Sequence, residues 1–324
     1  FGSSVAITPT DEGGLAAVLI RADDRLGIID LDIETAGGRS TLALQCSPGQ
    51  SAPDPGGFNK CDGSRHLLPL AYDDPFGLLL FDGAGGTDES GTTALVGYLR
   101  SGMISALQIP DNQNDVPRVA YELETESFGT YDLARSDTNG YVYVTSRITE
   151  TRTNPIYYFD SAFGQDAVVY RENLFSSFLG YETRSVTFTA DGTTAALLVR
   201  SPDMMVFLDT TSGSDGLPRN DYLGHVVLGS KTSRVRAHGD QLFVTAAEDD
   251  TVFVVDAARQ RLVALREDVC RGPFDVGFYD RGDDHWALIT CFEDDTVGVM
   301  DADPDSNTYL EILGRVGQPR NKKD

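Results

Sequence analysis

Short runs of Val, Ile, Leu, Phe and Tyr recur along the whole chain, divided by Asp-Gly, Gly-Asp and Asp-Asp pairs. Few stretches keep a spacing of 3.6 residues. Brief apolar runs bounded by turn formers predict strands joined by tight turns. One unit returns six times: an apolar strand, a polar turn, and a second apolar strand that usually ends in Asp. It reads LAAVLIRADDRLGIID at 15–30, TTALVGYLRSGMISALQ at 92–108 and YVYVTSRITETRTNPIYYFD at 141–160. It continues as TAALLVRSPDMMVFLD at 194–209, QLFVTAAEDDTVFVVD at 241–256 and HWALITCFEDDTVGVMD at 285–301.

The closing position of the unit falls at 30, 108, 160, 209, 256 and 301, so successive copies lie 78, 52, 49, 47 and 45 residues apart. Propeller blades repeat every ~40–50 residues. The long first gap contains an insertion at 46–65, roughly thirty residues beyond that period and too short for a further blade. A strand precedes each unit, near Val5, Leu79, Tyr131, Val186, Val235 and Val276, and another follows it, as near Val263 and Ile312. Four strands per copy predict an all-β fold, a β-propeller of four-stranded antiparallel blades forming one domain over 1–324. The blades are expected near 1–45, 66–123, 128–171, 183–228, 232–266 and 272–316. Six are readable, and a seventh is the competing count. GRVGQPR at 314–320 reads as the lead-in to a blade that SSVAITPTDEGG at the other end would continue. Six blades would then close end to end without an interlocking strand.

The stretches FVTAAEDDTVFVVDAARQRLVAL and LITCFEDDTVGVMDA resemble the bacterial and archaeal YVTN-type propeller repeat, as do YVYVTS at Tyr141, VAITP at Val5 and VTFTADG at Val186. The match runs over most of the chain, strongest in the last three copies and weakest in the second, which lacks the closing Asp. The resemblance implies the propeller fold and is unspecific for activity. The repeat is similar to that of lactonase-like propellers and of propeller subunits in periplasmic redox complexes.

Charge narrows the partners. Twenty-six Lys and Arg stand against 50 Asp and Glu, a formal net charge of −24. Such a field repels phosphate backbones and anionic lipid surfaces, so nucleic acid is excluded as a natural partner and a cationic protein, a metal ion or a basic ligand is favoured. The same charge also serves solubility in a salty medium. No run of ~18 apolar residues occurs, so no membrane-spanning helix is expected. The chain begins at Phe1, as a processed product would, with any export signal upstream. Cys46 and Cys61 bracket a loop rich in Pro, Gly, Ser and Asp, and Cys270 and Cys291 flank one hairpin. No C-x-x-C pair or nearby histidine suggests zinc at these cysteines; two local disulfides in an extracytoplasmic compartment is the economical reading, four buried thiols the alternative.

Candidate chemistry gathers at the mouth of the propeller channel, where loops of several blades converge. The loop at 172–183 offers Phe175, Phe178 and Tyr181, as a contact surface or as packing beneath their own loop. The residue before the aligned Val of the first strand is Ser4, Ser185, Arg234 or Asp275. Arg234 and Asp275 would face each other on neighbouring strands, as a ligand site or a structural ion pair. Arg184, Arg236 and Arg271 add positive charge nearby. The turn pairs Asp23-Asp24, Asp249-Asp250 and Asp294-Asp295 are turn formers first. In DADPDSNTYLE the residues Asp301, Asp303, Asp305 and Asn307 alternate like the first ligands of a calcium loop, making calcium the one candidate cofactor. Ser306 stands where the turn glycine belongs, and Glu311 comes one residue early.

No G-x-S-x-G or H-E-x-x-H occurs, and His66, His225, His238 and His285 occupy dissimilar blade positions. The expectation is a non-catalytic extracytoplasmic propeller that binds a partner protein or ligand at the channel mouth. A lactonase-like hydrolase using the channel, and a subunit docking a basic redox protein, are the alternatives.

Overall fold

The second strands of blades 2 and 3 are buried along their whole length, and this dictates how those sheets stack. In the computed structural model every residue of Thr92–Tyr98 and of Tyr141–Ser146 is buried, whereas Arg261–Arg266 is exposed at all but one position. A strand buries both faces only when something covers each side of its sheet, which is why these strands read as continuous apolar runs. The structure describes residues 2–10, 13–36, 39–45, 67–83, 91–111, 115–146, 154–174, 182–229, 231–281 and 284–317.

Six antiparallel sheets of consecutive strands form the blades of a six-bladed β-propeller. Blade 1 contains β1 (Gly2–Thr10), β2 (Gly13–Ile20), β3 (Arg25–Ala36), β4 (Arg39–Gln45) and β5 (Leu67–Pro69). Blade 2 contains β6 (Pro75–Asp82), β7 (Thr92–Tyr98), β8 (Ser101–Ile109) and β9 (Arg118–Glu124). Blade 3 contains β10 (Thr130–Arg135), β11 (Tyr141–Ser146), β12 (Asn154–Asp160) and β13 (Tyr170–Leu174), with a 3-10 turn at Ser161–Asp166. Blade 4 contains β14 (Glu182–Phe188), β15 (Thr194–Arg200), β16 (Met204–Asp209) and β17 (Asp221–Val227). Blade 5 contains β18 (Thr232–His238), β19 (Gln241–Ala246), β20 (Thr251–Asp256) and β21 (Arg261–Arg266). Blade 6 contains β22 (Pro273–Arg281), β23 (Asp284–Cys291), β24 (Thr296–Asp301) and β25 (Ile312–Val316).

The chain divides into two compact units. One comprises Phe1–Leu133, Gly140–Arg147 and Tyr157–Tyr170 and carries blades 1 and 2 and most of blade 3. The other comprises Ala134–Asn139, Ile148–Ile156 and Arg171–Asp324 and carries blades 4 to 6. Within the first, Leu19, Leu26 and Ile28 pack on Leu78, Val96 and Tyr98, and the other face of blade 2 packs Leu95, Ile104 and Tyr121 against Leu133, Val144 and Phe159. Within the second, Leu198, Met205 and Phe207 pack on Val235, Leu242 and Phe253, and Phe243 and Val254 pack on Val276, Ala287 and Ile289. Each Val, Leu, Ile, Phe or Met among them contributes about 1.5–3 kcal/mol when fully removed from water.

The strands expected from the periodicity are present. Two local readings change. Leu67–Pro69, at the start of the expected second blade, pairs with the first half of β3, while β4 pairs with its second half. Gly314 to Val316 belong to β25, paired with Val299 to Val297, and so close blade 6 rather than opening a new one. All four strands of blade 6 come from one continuous stretch of chain. Cys270 and Cys291 form a disulfide across the β22–β23 hairpin, as expected. Cys46 and Cys61 lie outside the described residues. Among the described residues no helix is long and apolar enough to cross a membrane.

Acidic pairs shape the turn between the second and third strands. Asp24, Asp250 and Asp295 take φ of 49°, 53° and 53°. Asp tolerates this left-handed conformation better than most residues, because its short side chain can bond locally. In blades 1 and 5 the same Asp then reaches forward. Asp24 Oδ1 accepts from the amide of Asp74 at 2.9 Å, and Asp250 Oδ1 from that of Gly272 at 2.8 Å. Asp203 does the same for Thr232 in blade 4, at 2.9 Å. These carboxylates tie each turn to the lead-in of the next blade.

Candidate functional site

The first strand of each blade carries a register shift near its start in blades 1, 2, 4, 5 and 6. Such bulges re-aim side chains and are common beside functional sites. In the second unit β18 packs between β14 and β22. The bulges at Thr183/Ser185, Thr232/Arg234 and Pro273/Val276 therefore lie side by side. Because the shift recurs at one rank of the repeat, residues about one blade period apart become neighbours.

Arg234 is 1% exposed, the largest fully buried side chain among the described residues. Its Nε lies 3.7 Å from Asp275 Oδ2, its Nη1 donates to the carbonyl of Arg184 at 3.3 Å, and its guanidinium sits 5.2 Å from the Phe274 ring centre. Arg236 Nη2 donates to the same Asp275 oxygen at 3.2 Å, and its Nη1 to Ser185 Oγ at 3.3 Å. Asp275 Oδ1 accepts from the Val276 amide at 2.9 Å. Two guanidiniums thus converge on one half-buried carboxylate over an aromatic ring. A buried charge persists only when it is paired. Arg234 is paired with Asp275 and hydrogen-bonded through Nη1, while its buried Nε faces Asp275 Oδ2 beyond hydrogen-bond distance.

Arg184 lies on the neighbouring strand but directs Nη2 to Glu182 Oε2 at 2.5 Å. Arg271 does not join the group. Its Nε and amide hold the two oxygens of Asp294 at 2.5 and 3.0 Å, and Arg315 approaches Asp294 Oδ2 at 3.4 Å. Burial works to raise the Asp294 carboxyl, but the bonds from Arg271 and the two positive charges outweigh it and hold the group below its ordinary value. Phe175, Phe178 and Tyr181 lie outside the described residues. An aromatic not singled out from the sequence, Phe292, is 73% exposed and sits 6.4 Å from Phe274 between ring centres.

The alternating carboxylates at 301–311 do not converge. Asp301 Oδ2 accepts from Ser306 Oγ and Thr308 Oγ1, both at 2.6 Å, and its Oδ1 from the Asp303 amide at 3.0 Å. Asp303 Oδ1 in turn accepts from the Asp305 amide at 2.9 Å. Burial again pushes the Asp301 carboxyl up, and these donors bring it below its usual range. Asn307 and Glu311 are exposed. The alternation serves a chain of turns in which Asp301 and Asp303 each bond the backbone two residues on.

At the opposite end of β18 and β22 lies a group the sequence did not reveal. His238 Nε2 is 3.0 Å from Asp280 Oδ1, and His285 Nδ1 is 2.7 Å from the same oxygen. The bond from His285 leads the effects that hold the Asp280 carboxyl below its ordinary value. The two histidines occupy different ranks in the repeat, so aligning the blades hides the cluster. The signal was Asp280 and His285 flanking the turn of blade 6, directly opposite one another in the ladder.

No protein-family model matches the sequence, and no curated protein matches it. Solved structures share the fold. A protein of Bacteroides uniformis, provisionally a 6-phosphogluconolactonase, matches with a TM-score of 0.64 at 12% identity over 97% of this chain and 85% of its own. A chain of the Chaetomium thermophilum Polycomb Repressive Complex 2, in a humanized mutant bound to an inhibitor, matches with 0.63 at 13% identity over 92% of this chain. A functionally unknown protein from Desulfotomaculum acetoxidans matches with 0.52 at 14% identity over 67%. The match spans 66% of the Chaetomium chain and 63% of the Desulfotomaculum one. At such identities the likeness carries the propeller fold alone, a fold that hosts many unrelated functions.

Proposed function

We propose that this chain is a non-catalytic extracytoplasmic propeller of the YVTN type that binds a partner through the face where β18 and β22 begin. One observation carries the reading: Arg234 and Arg236 meet on Asp275 over Phe274, and the exposed ring of Phe292 stands beside them. Rigid aromatic and guanidinium groups are the side chains that dominate binding surfaces, and here a half-buried ion pair holds the guanidiniums in place. The net charge of −24 favours a cationic protein, with association that weakens as salt rises. The Cys270–Cys291 disulfide is compatible with an oxidising compartment.

The test uses the full chain, immobilised and exposed to an envelope extract of its native source. The expected result is one retained protein, lost with Phe292→Ala and released by salt. Retention of the same proteins by the variant would overturn the reading.

A lactonase-like hydrolase is the second reading, favoured by the likeness to the Bacteroides uniformis structure. Turnover of a lactone panel by the wild type, abolished in Arg236→Ala, would support it over binding. No turnover across the panel removes it.

A further inference from the structure

We propose that His238, Asp280 and His285 form a binding site for a divalent transition-metal ion of the zinc class, bridging blades 5 and 6. His238 ends β18, Asp280 lies near the end of β22, and His285 stands opposite Asp280 at the start of β23. One ligand atom from each lies within 4.8 Å of the others. Two contacts to Asp280 Oδ1 are already 3.0 and 2.7 Å. Zinc bound tetrahedrally at its usual ~2.0–2.1 Å from nitrogen and oxygen needs ligand atoms about 3.3 Å apart. Small side-chain rotations would open the cluster to that spacing.

The donor set suits the ion. Two imidazoles and one carboxylate are the ligands of borderline divalent metals, whereas calcium and magnesium prefer oxygen alone. The geometry is also held before any ion arrives. The His238 ring stacks on Phe278 with centres 4.5 Å apart and 15° between planes, and meets Phe243 edge-on at 6.4 Å. The backbone of His285 is fixed by its carbonyl, which accepts from the Ala302 amide at 2.8 Å. Rings locked by packing lose little freedom on ligation. The cluster is open enough to fill, with side-chain exposures of 19% for His238, 36% for His285 and 51% for Asp280. The acidic surroundings of the whole chain favour a cation's approach.

Without metal, the two histidines bond Asp280. With it, those hydrogen bonds give way to three coordinate bonds and water takes the fourth position. Since His238 belongs to one sheet and the other two ligands to the next, the ion would join the blades and stabilise the folded state by mass action.

Calorimetric titration of the full, metal-stripped chain with zinc tests this, together with its thermal melt and the visible spectrum of its cobalt form. The expectation is one site per chain, a raised melting temperature and a tetrahedral cobalt band. His238→Ala and His285→Ala should each weaken zinc binding by at least roughly 100-fold, as loss of a direct ligand exceeds the ~10–100-fold cost of losing an outer partner. His225→Ala, at a histidine paired with Tyr222, should leave it unchanged. If an alanine variant fails to fold, His285→Gln and Asp280→Asn, checked by circular dichroism, carry the comparison. Absence of zinc binding, or equal binding in folded variants lacking His238 or His285 as ligands, overturns the proposal.

Discussion

Asp250, at the turn of blade 5, accepts through Oδ1 the backbone amide of Gly272 in the lead-in to blade 6, at 2.8 Å. The same residue holds φ at 53° and offers its own carbonyl to the amide of Val269. One acidic residue thus makes the turn and secures the next sheet. The hydrogen bond separates the two roles by mutation. Asp250→Asn keeps an acceptor and the tolerance for positive φ, and should cost less than about 0.5 kcal/mol. Asp250→Ala loses both and should cost about 1–2 kcal/mol. Chemical unfolding of the two variants checks the difference.

Arg234 and Arg236 share Asp275 but differ in burial, at 2% and 29% side-chain exposure. Removing Arg234 leaves a cavity where the largest fully buried side chain stood, so Arg234→Ala should cost about 2–5 kcal/mol, while Asp275 keeps Arg236. Arg236→Ala should cost about 1 kcal/mol or less, because solvent replaces much of what it provides. Equal losses in unfolding experiments would contradict this division.

The disulfide between Cys270 and Cys291 closes a loop with a sequence separation of 21. Its removal in the double variant Cys270→Ser, Cys291→Ser should cost about 2–4 kcal/mol. The wild type under reducing agent should melt at a similarly lowered temperature, since both remove the same constraint from the unfolded chain.

Asp294 and Asp301 both titrate below their ordinary range in the folded protein. A carboxyl depressed by folding contributes stability that is complete above its unfolded pKa and is lost as pH falls through the folded one. The denaturation midpoint should therefore hold steady near neutrality and fall below about pH 4, the unfolded carboxylate range. In Asp294→Asn the fall should be shallower, because the bonds from Arg271 no longer depend on a titrating group. A midpoint that rises on acidification would contradict the assignment.

Gly97 lies on β7 where a Cβ would run into the Thr130 side chain of the neighbouring blade. Gly97→Ala should therefore destabilise by about 1–3 kcal/mol, the usual range for overpacking, although alanine normally favours order over glycine. A stabilised variant would show that this blade contact yields easily.

The repeat made the fold legible. Paired strands such as Gln241–Ala246 and Thr251–Asp256 appear directly in QLFVTAAEDDTVFVVD, because a strand covered on both faces must be apolar throughout and its turn must be polar. The facing of Arg234 and Asp275 was legible for the same reason: they hold one rank in successive blades, and radial repetition turns equal rank into adjacency. His238 and His285 hold different ranks, so only the packing of a hairpin against the next sheet joins them through Asp280. The exposure of Phe292, the pairing of Arg271 with Asp294 and the return of Leu67–Pro69 to β3 were likewise decided by tertiary structure. Sequence fixes which residues alternate and where the chain turns, since those follow from local sterics and the burial of each strand. Which side chains meet across two sheets depends on how the blades stack, and no local pattern carries that distance.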